Sequence, residues 1–304
     1  MPSSGVHAHE ALYYRDDHEY REGLSEFLAP ALDSGEPVAL AVPGWKLEPL
    51  REWLDGALDV ELLDMCEVGR NPGRILPVIE RLGNKHRGRT LHYVGEPIWP
   101  GRCPAAIREA VRHEALINLA LRGTRTQVLC PYDASRLDES VLASAERTHP
   151  TVVDCGMARP SESYSDAVPP EAELPLGHPP PGAARCHVRE GDLSAVRAAV
   201  RDYARDTHFN GRLLDDLQIV ASELAGNALR HGAPPRQLWV WQTPGKVVCQ
   251  AENRGAISDP LAGRRNPGQD PNHGMGLWIV HHLSALVEVR SGDRTTIRAH
   301  LPVD

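Results

Sequence analysis

The sequence predicts two domains of different construction: an α/β N-terminal domain, with a mostly parallel sheet and helices on both faces, and an α+β C-terminal sandwich. Three observations predict this. Over residues 1–156, short apolar runs alternate with segments whose apolar residues recur every three or four positions. Over residues 185–304, two helical patterns precede a pair of strand patterns instead. Between them, residues 157–184 hold seven prolines and few large aliphatic side chains. A chain of 304 residues accommodates two cores of ordinary size.

In the N-terminal domain the runs EALYY, PVALAVP, VELLDM, TLHYVGE and TQVLCPYD read as buried strands. Ile107, Val111, Ala115, Leu116 and Leu119 mark a helix between the last two. In sheets of this type ligands sit beyond the carboxyl ends of the strands, which singles out Glu96, Cys130, Tyr132 and Asp133. No glycine-rich loop ending in Lys-Ser/Thr occurs here, so this half is not a nucleotidase by motif. The proline-rich stretch 157–184 reads as an extended, semi-rigid linker, because it lacks the apolar surface to order itself.

The C-terminal domain reads as a strand at 186–189, a helix near 193–206 and a long helix near 211–231. The strands QLWVWQ and VVCQAEN follow, then a Gly/Pro-rich loop over 255–276, the helix LWIVHHLSAL and two closing strands. Helices are expected on one face of a mixed sheet. On the long helix Leu213, Leu217, Val220 and Leu224 form an apolar stripe. Glu223, Asn227 and His231 follow one another at i, i+4 on a neighbouring face. Asparagine has poor helix propensity, and its amide oxygen is a suitable hard ligand for Mg²⁺. A carboxylate one turn away can orient or deprotonate an attacking group. A solvated polar face explains ExxxN equally well. The second signal is His273-Gly274-Met275-Gly276-Leu277, where glycines open an apolar helix and let backbone N–H groups approach phosphate. Alone, it is also an ordinary loop-to-helix turn.

Bulk composition excludes several classes. The net charge of −8 gives no electrostatic case for nucleic acid or an anionic membrane, and no helix-turn-helix pattern is present. No apolar stretch approaches the roughly 18 residues of a membrane span, and the N-terminus lacks signal-peptide character, so a cytoplasmic protein is expected. Cys66, Cys103, Cys130, Cys155, Cys186 and Cys249 form no CxxC pair and read as free thiols.

With the two C-terminal motifs in this order, separated by two strands, residues 185–304 resemble the GHKL ATPases and imply their Bergerat sandwich. On that resemblance Asn227 matches the asparagine that holds Mg²⁺, Glu223 the upstream acid, and Gly274 to Leu277 the second glycine box, with Met275 and Gly276 between. The run Asn227-Ala-Leu-Arg-His231-Gly232 looks like the anti-sigma-factor serine kinases. One box departs: Glu252-Asn253-Arg254-Gly255-Ala256 places Asn253 where the family has the adenine-binding Asp. Loss of that charge weakens the bond by about 1 kcal/mol. The linker that precedes the domain holds His178 but no amphipathic helix, so histidine autophosphorylation is not expected.

The N-terminal half has its own resemblance. His9-Glu10-Ala-Leu-Tyr-Tyr, Gly95-Glu96-Pro97-Ile-Trp99-Pro100, His113-Glu114-Ala-Leu-Ile-Asn118 and Leu129-Cys130-Pro131-Tyr132-Asp133 look like the MEDS sensory domain. This implies ligand or signal sensing and fixes no ligand; the residues themselves suit an unknown small molecule or a metal. His9, Glu96, His113, Glu114, Cys130 and Asp133 are the residues to gather at a strand-end site. Each also has a plain reading: a satisfied helix histidine, a buried strand thiol, a turn residue before proline.

Together the resemblances imply an anti-sigma regulatory serine/threonine kinase that binds Mg-ATP under control of a sensory domain. Its partners would be a sigma factor and an anti-anti-sigma antagonist, and the kinase likeness suggests a homodimer. The rival expectation is a non-catalytic adaptor whose ATPase-like module only binds a partner, favoured by Asn253 and Ala256.

Overall fold

A computed structural model describes residues 8–54, 60–191, 193–207, 211–268 and 274–303. The chain divides into two compact units, Met1–Ala172 and Glu173–Asp304.

The first unit is built on a seven-stranded sheet of order β3-β2-β4-β5-β1-β6-β7. The strands are β1 (Ala8–Tyr14), β2 (Val38–Val42), β3 (Val60–Asp64), β4 (Leu91–Gly95), β5 (Thr126–Asp133), β6 (Thr151–Asp154) and β7 (Met157–Pro160). The first six pair in parallel, and β7 returns antiparallel to β6 as an edge. Helices make the crossovers: α1 (Asp17–Ser34), α2 (Leu47–Trp53), α3 (Met65–Val68), α4 (Ile75–Lys85), α5 (Pro104–Ala120) and α6 (Glu139–Thr148). Helix α1 begins where Asp16 accepts a bond from the Glu19 N–H (2.9 Å) and stops at Gly35, whose φ of 67° suits glycine.

Alternation along the strands sorts the side chains between two layers. Leu12, Leu40, Val94 and Leu129 pack under Leu24 and Leu28 of α1. Residues of the opposite parity, His9, Tyr13 and Cys130, face α5 and α6: His9 meets Glu114, and the Tyr13 hydroxyl donates to the Leu142 carbonyl (2.9 Å).

Residues 157–172 go with the first unit and 173–184 with the second, so the division between the units falls inside the expected linker. The proline-rich segment borrows order that it cannot supply itself. Pro160 closes β7 on β6, Glu171 meets Ser144 and Arg147 (2.6 Å each), and Arg112 donates to the carbonyl of the buried Ala172. Beyond 172 the segment straps onto the second unit through bonds from Arg290 to the Leu174 carbonyl (2.8 Å) and from Arg298 to the Gly177 carbonyl.

The second unit holds α7 (Leu193–Asp206), α8 (Gly211–His231) and α9 (Met275–Leu283). Its strands are β8 (Ala184–His187), β9 (Ala233–Thr243), β10 (Lys246–Arg254), β11 (Leu286–Arg290) and β12 (Arg294–Pro302). The sheet order is β11-β12-β10-β9-β8, and every neighbouring pair is antiparallel. The expected mixed sheet is thus corrected. A Pro244-Gly245 hairpin joins β9 to β10, and β11 returns to the edge beside β12, so no pair needs a parallel crossover. The helices cover one face. Leu217, Val220 and Leu224 of α8 pack with Val200 of α7, Val280 of α9 and Val247 of β10 in one core. Among the described residues no helix is long and apolar enough to cross a membrane.

Candidate functional site

The core stripe of α8 leaves Glu223 and Asn227 half-buried, one turn apart on the neighbouring face. Against them packs the start of α9. A Cβ added to Gly276 would lie 2.4 Å from Oε2 of Glu223 and 3.3 Å from Oδ1 of Asn227. The two motifs therefore meet, and glycine is the residue that admits so close an approach. Gly274 opens α9 with φ 76°. The first N–H groups of the helix lack intrahelical acceptors, and among the described residues no side chain caps them. The preceding loop packs back here: a Cβ on Gly263 would meet Leu277 Cβ at 2.7 Å. His273 lies outside the described residues.

Asn253 stands near the end of β10. Its side chain lies against Gly232, where an added Cβ would come within 2.7 Å of Asn253 Cβ. Nδ2 of Asn253 donates to the Arg254 carbonyl (2.9 Å), which leaves Oδ1 as the acceptor for a ligand amino group. Gly255 turns the chain away at φ 101°, with its Cβ position 3.8 Å from the carbonyl of the exposed His231. Arg230 donates to Asn227 Oδ1 at 2.9 Å, so a cation already stands at the oxygen expected to hold a metal.

In the first unit, the structure divides the expected strand-end set. His9, Glu114 and Cys130 come together beneath α5, on the sheet face rather than beyond its strand ends. His9 Nε2 is 3.0 Å from Glu114 Oε2, and Cys130 Sγ lies 3.3 Å from Glu114 Oε2 and 3.4 Å from His9 Nε2. His149, immediately after α6, joins them at 3.5 Å from Glu114 Oε2. All four are sealed from solvent. Burial opposes ionisation of Glu114, but the imidazoles of His149 and His9 outweigh it and hold the carboxyl well below the usual carboxylate range. Burial and the neighbouring His149 push His9 down, and burial beside Glu114 pushes the Cys130 thiol up.

The other three candidates lie elsewhere, which corrects the single-site expectation. His113 is buried on α5 one residue before Glu114, about 100° around the helix, and therefore points away from the cluster. Glu96 sits at the carboxyl end of β4, as expected, but pairs with Lys46 (2.7 Å) and accepts from Tyr14 (3.0 Å) and Tyr20 (3.4 Å). Burial raises the Glu96 carboxyl, partly offset by Lys46. Asp133 closes a turn by accepting from the Ser135 N–H (3.1 Å) and hydroxyl (2.7 Å). Neither Lys46 nor His149 is visible as a site residue in the sequence: each joins its partners only through the crossover order of the strands.

Comparisons with known proteins agree with these two constructions. Residues 8–150 match MEDS, the methanogen/methylotroph, DcmR sensory domain, and residues 187–301 match the histidine kinase-like ATPase domain. A crystal structure of the RsbU and RsbW domains of Rv1364c from Mycobacterium tuberculosis is similar at 17% identity and a TM-score of 0.31. That likeness covers 40% of this chain and 33% of the other, so it spans about a third of that protein's length. No curated protein matches. The chain joins a MEDS domain to a domain of the GHKL type.

Proposed function

We propose that this chain is an ATP-dependent anti-sigma regulator. Its C-terminal domain binds Mg-ATP, sequesters a sigma factor and phosphorylates a serine or threonine of an antagonist protein; its MEDS domain supplies the signal. The observation that carries the reading is the close approach of Gly276 to both Glu223 and Asn227, which brings two distant motifs together.

The residues present fit the nucleotide. The bare N-terminus of α9 offers N–H groups to phosphate oxygens, Asn227 Oδ1 is a hard ligand for Mg²⁺ once Arg230 swings aside, and Asn253 Oδ1 is an acceptor for an adenine amino group. Bound Mg-ATP would supply the transferable phosphoryl group with its charge partly neutralised. Glu223, beside the glycine box, would orient the acceptor hydroxyl and take its proton. The exposed Arg230 is well placed to move from Asn227 to a phosphate.

The adaptor reading keeps two supports: the uncharged Asn253 and the Arg230 guanidinium on Asn227. Calorimetric titration of the full chain with Mg-ATP, beside Asn227→Ala, decides between them. Micromolar binding that disappears in the variant supports the kinase reading, and phosphate transfer to an antagonist then follows as the next assay. Absence of binding by the unaltered chain favours the adaptor.

A further inference from the structure

We propose that His9, Glu114, Cys130 and His149 form a four-coordinate site for a divalent transition metal, zinc above all, in the core of the MEDS domain. The inference is independent of the nucleotide reading and names what the sensory half holds.

The first support is spacing. The four ligand atoms lie within 4.8 Å of one another, and the closest contacts are 3.0, 3.3, 3.4 and 3.5 Å. Ligand atoms around a tetrahedral zinc, with bonds of about 2.0–2.3 Å, stand roughly 3.3–3.7 Å apart. The side chains therefore require only small shifts to close on an ion.

The second support is the direction of the lone pairs. Asn118 spends its amide nitrogen on the carbonyls of Thr148 (2.8 Å) and Glu114 (3.3 Å), so its oxygen faces His9 Nδ1 (3.1 Å) and must accept from it. His149 Nδ1 lies 2.8 Å from the Ala145 carbonyl, which can also only accept. Both imidazoles are thereby held with Nδ1 protonated, and both turn Nε2, the atom a metal would take, toward the Glu114 carboxylate. Two imidazole Nε2 atoms, a carboxylate and a sulfur thus converge in a sealed space. Among the described residues, Oε1 of Glu114 and Nε2 of His149 find no hydrogen-bond partner. One proton bridges one of these contacts; one cation satisfies all of them.

The third support is charge. Zinc with one thiolate, one carboxylate and two neutral imidazoles sums to zero, the arrangement that a buried ion tolerates best. The Cys130 S–H proton leaves to solvent as the sulfur–metal bond forms. With four protein ligands and no open position, the site is closed, hence structural or regulatory rather than catalytic. Asn118 acts as a positioning residue that holds His9 in the ligating tautomer.

The test uses the full chain, unfolded with chelator and refolded with Zn²⁺ or Co²⁺ because the site is sealed. One metal per chain is expected. The cobalt form should show the visible absorption of a tetrahedral ion and an ultraviolet sulfur-to-cobalt band. Cys130→Ser should remove the sulfur band, whereas Cys103→Ser, at an exposed thiol, should keep it. Asn118→Ala should weaken affinity about 10–100-fold while leaving the cobalt spectrum in place. Failure of the unaltered chain to take up metal overturns the proposal, and so does a sulfur band that survives Cys130→Ser. Should Cys130→Ser fail to fold, the unaltered chain still decides by stoichiometry and spectrum.

Discussion

Glu114 and Glu223 both lie on long helices, one in each unit, and each faces residues brought from distant strands or loops. Glu114 is 1% exposed and enclosed by two imidazoles and a thiol, whereas Glu223 is half-buried beside a glycine. The MEDS core thus holds its polar side chains in mutual contact, with water excluded. The ATPase-like site keeps its polar groups at the edge of a core, where glycines admit close packing. The first arrangement suits a small, tightly enclosed ligand; the second suits a large ligand that enters and leaves.

The widest separation between the units is expected from the two glutamates. Glu114→Ala removes the one carboxylate of a sealed cluster and should destabilise the chain by about 3 kcal/mol in a urea melt. Glu223→Ala should cost less than about 1 kcal/mol, since its site is partly solvated, yet it should eliminate phosphotransfer. Equal losses of stability would break the contrast. Gly276→Ala comes next: the added methyl displaces the Glu223 carboxylate and should lower nucleotide affinity at least about tenfold, near 1.4 kcal/mol, in a calorimetric titration. Asn253→Ala should weaken ATP binding several-fold, about 1 kcal/mol, by removing one neutral hydrogen bond.

The smallest effect sharpens the comparison through pH. Burial raises Glu288 in the second unit, but the bond from His300 and the charges of Arg298 and Arg290 bring its carboxyl below the ordinary value of 4.5. The unfolded chain then binds the proton more readily. The contribution is present above about pH 4.5 and disappears as pH falls through the lowered folded-state value. Glu288→Gln should flatten the acid limb of the second unit's stability, measured by denaturant melts from neutral pH downward.

Much of the ATPase-like cleft was legible in the sequence, because its pieces are local. Glu223 and Asn227 lie one turn apart on one helix, and the glycines open another; only the meeting of the two needed the fold. The MEDS cluster was half legible. Glu114 and Asn118 share a helix face by i, i+4 spacing, and Cys130 lies in an obvious strand. His149 carried no signal, since it follows α6 and reaches the cluster only because β6 pairs with β1. Glu96 and Asp133 were correctly placed at strand ends, but their partners Lys46 and Ser135 give each a settled local role.

The sequence by itself determined the two-part organisation, the α/β and α+β constructions, the helix that bears Glu223 and Asn227, and the glycine box. Periodicity, capping and backbone freedom act within a few residues, so they can be read along the chain. Tertiary structure alone decided that the C-terminal sheet is antiparallel throughout, that part of the proline-rich segment belongs to the first unit, and that His149 rather than His113 completes the cluster. Those outcomes depend on which strands become neighbours, and strand order is set by packing of whole elements rather than by any local spacing.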